Sequence, residues 1–128
     1  MKQLFGLALI LVLLTACGET PTTIDLDSAN NGVTLETTVG QTINITLDSN
    51  ATTGYKWNLV TTPDAQVLKF LSSHYNAPIG GGVGAGGKEV WKFQTTGRGT
   101  TSLKLAYFRP FEPNTPPAKE FSATVVVR

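Results

Sequence analysis

A 128-residue chain with one histidine and one cysteine has few routes to chemistry. The histidine, His74, sits in Ser72-Ser73-His74-Tyr75. Serine, imidazole and a carboxylate are the ingredients of a hydrolase triad. No G-x-S-x-G turn is present to raise a serine for attack, and the acidic residues are few and scattered. His74 therefore reads as a surface or strand-end residue. Asp25-Leu26-Asp27-Ser28 has the carboxylate spacing of a calcium loop, but no Gly or Glu follows at the EF-hand positions. It reads as a solvated edge strand. One Cys and one His cannot make a Cys/His zinc site or an internal disulfide. Gly82, Gly84 and Gly87 satisfy G-x-G-x-x-G, and Lys88 adds most of a Walker loop, with Glu89 where Ser or Thr belongs. Both phosphate motifs need a helix next, so that its N-terminus meets the phosphate. Val90-Trp91-Lys92-Phe93 follows instead, which alternates like a strand. The expectation is a protein that is not an enzyme, with no metal and no cofactor.

Cys17 has a different task. Lys2 supplies a positive charge, Leu4–Leu14 is an apolar run, and Leu14-Thr15-Ala16-Cys17 follows. That is the order of a secretory signal. The run is shorter than the ~20 residues that span a bilayer. Leu-Thr-Ala-Cys resembles a bacterial lipobox, in which Cys17 is acylated and becomes the mature N-terminus. Residues 1–16 are then a lipoprotein signal peptide, and residues 17–22 a lipidated N-terminus and polar tether. The implied place is the bacterial cell envelope, lipid-anchored, and the outer membrane if the organism has one, because Gly18 rather than Asp follows the cysteine. Removing the signal takes Lys2 away and leaves nine basic against nine acidic side chains. Zero net charge argues against nucleic acid, which requires a basic face.

The remainder, 23–128, must position whatever function there is, and its period is two. Ile43, Ile45 and Leu47 alternate with Asn44 and Thr46; Tyr55, Trp57 and Leu59 with Lys56 and Asn58; Trp91 and Phe93 flank Lys92. Leu103, Leu105 and Tyr107 continue the pattern, and Phe121, Ala123, Val125 and Val127 close it. Alternation of this kind gives each strand one face for a core. Ile24-Asp25-Leu26 and Val33-Thr34-Leu35 are shorter candidates. Asp64–Tyr75 fits one helical turn or a bulged strand, and the strand is preferred. Asn31-Gly32, Val39-Gly40, Thr53-Gly54, Gly97-Arg98-Gly99 and Glu112-Pro113-Asn114 mark turns. About seven to eight strands and no helical run predict an all-β, two-sheet sandwich of one domain. Its expected core aromatics are Trp57, Phe70, Trp91, Phe93, Tyr107 and Phe121.

Three stretches stand outside this pattern. Asn50-Ala51-Thr52-Thr53-Gly54-Tyr55 joins two strands, and Gly54 suits a positive φ. Gly80–Gly87 is a bare backbone that a partner can approach closely. Arg109-Pro110-Phe111 follows a strand end, where Pro110 stops the strand and Phe111 falls outside the alternation. Together, Asn-x-Thr-Thr-Gly-Tyr, Gly-x-Gly-Gly with Trp91 four residues on, and Arg-Pro-aromatic resemble the chagasin family of protein inhibitors of papain-like cysteine proteases. The likeness runs from about Val33 to Val127 and carries the family's immunoglobulin-like sandwich with it. It implies a protease-binding surface of Asn50, Ala51, Thr52, Thr53, Gly54 and Tyr55, of Val83, Gly84, Ala85, Gly86 and Gly87, and of Arg109, Pro110 and Phe111. The first loop would enter the cleft and set Thr52 and Thr53 near the catalytic Cys–His pair; the others would flank it. The implied partner is a papain-like protease, met by a monomer that also touches lipid through Cys17. The family usually has Pro where Ala51 stands and Trp where Phe111 stands, so this first loop is less restrained and the stacking surface smaller. The reading to weigh against inhibition is a non-catalytic immunoglobulin-like envelope adhesion or interaction module. The two differ in whether Thr53, Gly86 and Phe111 meet on one edge.

Overall fold

The computed structural model describes residues 22–82 and 84–128. Cys17, expected to be lipidated, the expected signal peptide and Val83 lie outside the described residues. The strands are β1 (Thr23–Leu26), β2 (Val33–Thr37), β3 (Thr42–Ser49), β4 (Lys56–Thr61), β5 (Leu68–Asn76), β6 (Gly87–Thr95), β7 (Gly99–Phe108) and β8 (Lys119–Val127). They form two four-stranded sheets, ordered β1-β3-β6-β5 and β2-β8-β7-β4. Two short 3-10 turns, Ser28–Asn30 and Ala51–Thr53, complete the described elements.

The alternation read from the sequence is the alternation of burial. Ile43, Ile45 and Leu47 of β3 face Trp91 and Phe93 of β6 in one sheet; Trp57, Leu103, Leu105, Tyr107, Phe121, Ala123, Val125 and Val127 line the other. The buried core residues run from Leu26 to Val127. Two pairings are parallel, β1 with β3 and β2 with β8, and the rest are antiparallel. Parallel neighbours cannot be joined by a tight hairpin. β1 accordingly reaches its parallel neighbour β3 by way of β2, which lies in the other sheet. Between them Asp27 caps the first 3-10 turn by accepting from the Ala29 N–H, so its carboxylate has a backbone task.

Phe70 corrects the expected core. It is 41% exposed, because β5 is an outer strand in which only Leu68 is buried. Its ring lies at the core margin, 5.6 Å from Trp91 and 5.7 Å from Phe93. The ambiguity over Asp64–Tyr75 has a cause as well. Asp64 closes a turn, its carbonyl accepting from the Val67 and Leu68 N–H groups, and the strand begins only at Leu68. A register shift between Phe70 and Ser72 then adds Leu71 and breaks the period of two.

Candidate functional site

Strands β3, β4, β6 and β7 bring three connections to one end of the sandwich. Between β3 and β4, Asn50 caps the 3-10 turn Ala51–Thr53. Its Oδ1 accepts from the Thr52 N–H at 3.2 Å and from the Thr52 hydroxyl at 2.6 Å. The Thr53 hydroxyl donates to the Asn50 carbonyl at 2.7 Å. Gly54 ends the turn at φ +79°, in the left-handed region. The turn is therefore held by its own side chains, and Ala51, Thr52 and Thr53 are all exposed.

The other two connections are tied to this one. Asn50 Nδ2 donates to the Gly84 carbonyl at 2.9 Å, which links the glycine-rich segment. Arg109 Nε donates to the Thr53 carbonyl at 3.0 Å, which links the segment after β7. The Arg109 guanidinium also lies 4.4 Å over the Tyr55 ring and 3.5 Å from Glu112. Phe111 packs so closely on Gly54 that a Cβ there would stand 3.0 Å from Phe111 Cε1. Its ring is otherwise open, at 69% exposure. Beneath the turn the Asn50 N–H donates to the Tyr107 hydroxyl at 2.9 Å, and Tyr107 stacks on Tyr55 at 5.2 Å. Thr53, Gly86 and Phe111 are exposed members of three segments joined in this way.

Not every expected residue belongs to that rim. Gly87 is buried in β6, where a Cβ would stand 2.2 Å from the Asn76 carbonyl oxygen and 2.8 Å from the Tyr75 hydroxyl. It lets β5 approach β6 and presents nothing outward. Asn50 and Gly54 are half-buried and act as struts, while Gly84, Gly86 and Pro110 are exposed and Ala85, Tyr55 and Arg109 half-buried. The Thr52 and Thr53 hydroxyl hydrogens are both used inside the turn. What these oxygens offer a partner is lone pairs, so they accept and do not donate.

Two supports were missed in the sequence. Glu89, 7% exposed, accepts on Oε2 from the Ser49 hydroxyl at 2.6 Å and from the Trp57 N–H at 3.1 Å. One carboxylate oxygen thus fastens both ends of the Asn50–Tyr55 segment and bridges the two sheets. Tyr107, expected only as core, holds Asn50 through its hydroxyl. The signal for Glu89 was its parity: it shares a strand face with Trp91 and Phe93, and a charge on an inward face needs a buried partner. Farther out, Lys88 pairs with Asp48, and that hydrogen bond holds the Asp48 carboxyl below its ordinary range. No cluster of three or more metal-ligating side chains occurs among the described residues.

The three linked segments form one exposed edge. The sequence profile of the chagasin family peptidase inhibitors, I42, matches residues 36–125. The chain belongs to the chagasin family. Chagasin of Trypanosoma cruzi is 33% identical over 87 residues, which are 65% of this chain and 78% of chagasin. Amoebiasin-2 of Entamoeba histolytica is 30% identical over 129 residues, covering both chains in full. Among solved structures, a cysteine protease inhibitor of Entamoeba histolytica superposes with a TM-score of 0.74 at 26% identity, over 87% of this chain and all of that one. As in the rest of the chagasin family, the sandwich serves peptidase inhibition and is not an enzyme.

Proposed function

We propose that this protein is a reversible inhibitor of papain-like cysteine proteases that fills the active-site cleft with its three linked loops. The observation that carries this is the pair of bonds from Asn50 to Gly84 and from Arg109 to Thr53, which make three separate sequence motifs one exposed edge. The central turn would enter the cleft. There the Thr52 and Thr53 oxygens would accept from a protonated catalytic imidazole. The turn offers no strained carbonyl for attack, so binding is occlusion without chemistry. Glycine-rich backbone on one side and the Phe111 ring on the other would seat on the cleft walls. The internal bonds limit the ordering entropy lost on binding. This favours inhibition over an adhesion module, for which convergence of the motifs has no reason.

The chain from Gly18 to Arg128 should inhibit papain or a cathepsin L-like protease, with activity recovered on dilution. A fluorogenic assay showing undiminished protease activity at micromolar inhibitor would overturn the reading. The same proposal places the domain, as a single copy, on a bacterial envelope through acylated Cys17. The support there is the leader pattern Leu4–Leu14 followed by Leu-Thr-Ala-Cys.

A further inference from the structure

Behind the Asn50–Tyr55 turn lies a pocket of about 430 Å³, lined by the base of that turn together with Ser49, Lys56, Ser73, His74, Tyr75 and Glu89. It opens beside the exposed edge and is continuous with it through Ala51, Gly54 and Tyr55. We infer that this pocket is a second recognition site, which takes a basic side chain, lysine or arginine, presented by the target protease next to its cleft. The inference rests on the inhibitor reading and names a part of the partner which that reading leaves open.

The floor decides the ligand's chemistry. Glu89 is buried, and both of its protein donors, Ser49 Oγ and Trp57 N, fall on Oε2. Oε1 accepts no hydrogen bond among the described residues, and it is not sealed off from the pocket. An ionised carboxylate only accepts, and has about four lone-pair sites to fill. A buried charge with free acceptor capacity is best met by a cationic donor, because charge-assisted hydrogen bonds are about twice as strong as neutral ones. The walls agree. Tyr75 lines the pocket with a phenol ring, whose face attracts a cation, while the Tyr55 ring is already engaged by Arg109 and Tyr107. Ser49 and Ser73 add hydroxyl oxygens. Lys56, also on the lining, is exposed and forms no ion pair with Glu89. The volume lies near the low end of the range of about 300–1,000 Å³ for ligand pockets. It admits one long side chain and no folded segment.

Two arms test this. In the first, the ¹⁵N-labelled chain from Gly18 is titrated with n-butylguanidinium and, separately, with neutral n-butylurea of the same shape. Amide shifts at Ser73, Tyr75 and Glu89 should move and saturate with the guanidinium alone, and Glu89→Gln should abolish them. Glutamine keeps an oxygen for Ser49 and Trp57 but puts an amide where the free oxygen was, so the turn stays fastened. Absent shifts, or equal shifts with butylurea, overturn the proposal. In the second arm, Glu89→Gln and Tyr75→Ala are measured as inhibitors of whichever papain-like protease the unaltered chain inhibits most strongly. Tyr75→Ala stands in if Glu89→Gln does not fold. Inhibition should weaken about tenfold or more, the usual worth of one charged hydrogen bond, through faster dissociation. Unchanged inhibition by both variants overturns the pocket's role while leaving the three-loop reading intact. If the unaltered chain inhibits no such protease, the three-loop reading fails, and a silent titration would then remove the pocket as well.

Discussion

Gly54 carries two constraints at once. Its φ of +79° is a region that costs an L-residue about 1–2 kcal/mol. A methyl group there would also meet the Phe111 ring at 3.0 Å, and that ring is 69% exposed. Gly54→Ala should therefore lower the melting temperature by about 5–10 °C, on the scale of one to two kcal/mol for a domain of this size. It should weaken protease inhibition more than that loss of stability explains, because Phe111 is pushed off its seat. Thermal melts and inhibition constants on the same preparation check this. A fall in melting temperature with unchanged inhibition would mean that Phe111 does not bind the protease. At this scale the sequence was readable where a residue's own backbone speaks: Thr-Gly implied the positive φ, and it is there. It was not readable where a side chain turns back on its neighbours. The Thr52 and Thr53 hydroxyls look free in the sequence, yet both donate to Asn50. Their direction is fixed by the 3-10 turn, which has no hydrophobic pattern to announce it.

Among elements, the coupling of the three connections matters more than any one of them. Asn50 does two separable things. Its Oδ1 caps the turn, and its Nδ2 reaches the Gly84 carbonyl. Asn50→Asp keeps the cap, since aspartate is an equally good N-cap, but removes the donor and faces a carbonyl with a charge. The expected result is a melting temperature within about 2–3 °C of the unaltered chain. Inhibition should weaken roughly fivefold or more, about the worth of one hydrogen bond, as the glycine-rich segment loses its tie. Asn50→Ala should lose both, and the difference between the two variants isolates the link. Equal inhibition by Asn50→Asp would show that the glycine-rich segment needs no tether. The strands themselves were legible because two packed sheets force a period of two on β3, β4, β6, β7 and β8. β5 is the strand preferred for Asp64–Tyr75, but its pattern was ambiguous, since it sits outermost, buries only Leu68 and carries a register shift. Nor could pattern alone reveal that β1 and β2 pair in parallel with β3 and β8, because alternation says which face is buried and nothing about the neighbour's direction.

The whole molecule has two ends with different work. β3 runs from Thr42 to Ser49, and Ser49 adjoins the capped turn; β1 lies parallel to it with Thr23 opposite Thr42. The chain thus enters the sandwich at the end away from the loops, separated from them by seven residue steps of strand, roughly 20–25 Å. Val127 lies opposite Gly99, at the start of β7, while Phe108 at the other end of that strand leads to Arg109. Both termini of the domain therefore leave the loop end free. If Cys17 is the acylated N-terminus, a domain held at a membrane would point its binding edge outward. The full-length chain expressed in a bacterium should partition with detergent, and Cys17→Ser should return it to the aqueous phase; an aqueous unaltered protein would remove the anchor. The acylated protein, reconstituted on vesicles, should then inhibit a soluble papain-like protease with a constant within about threefold of the unanchored domain, because β1 begins at the end of the sandwich away from the loops. Loops turned toward the bilayer would instead exclude a protease-sized partner, and inhibition would fall far beyond that margin. The comparison isolates orientation, since both forms carry the same Asn50, Arg109 and Phe111, and differ only in what holds the opposite end.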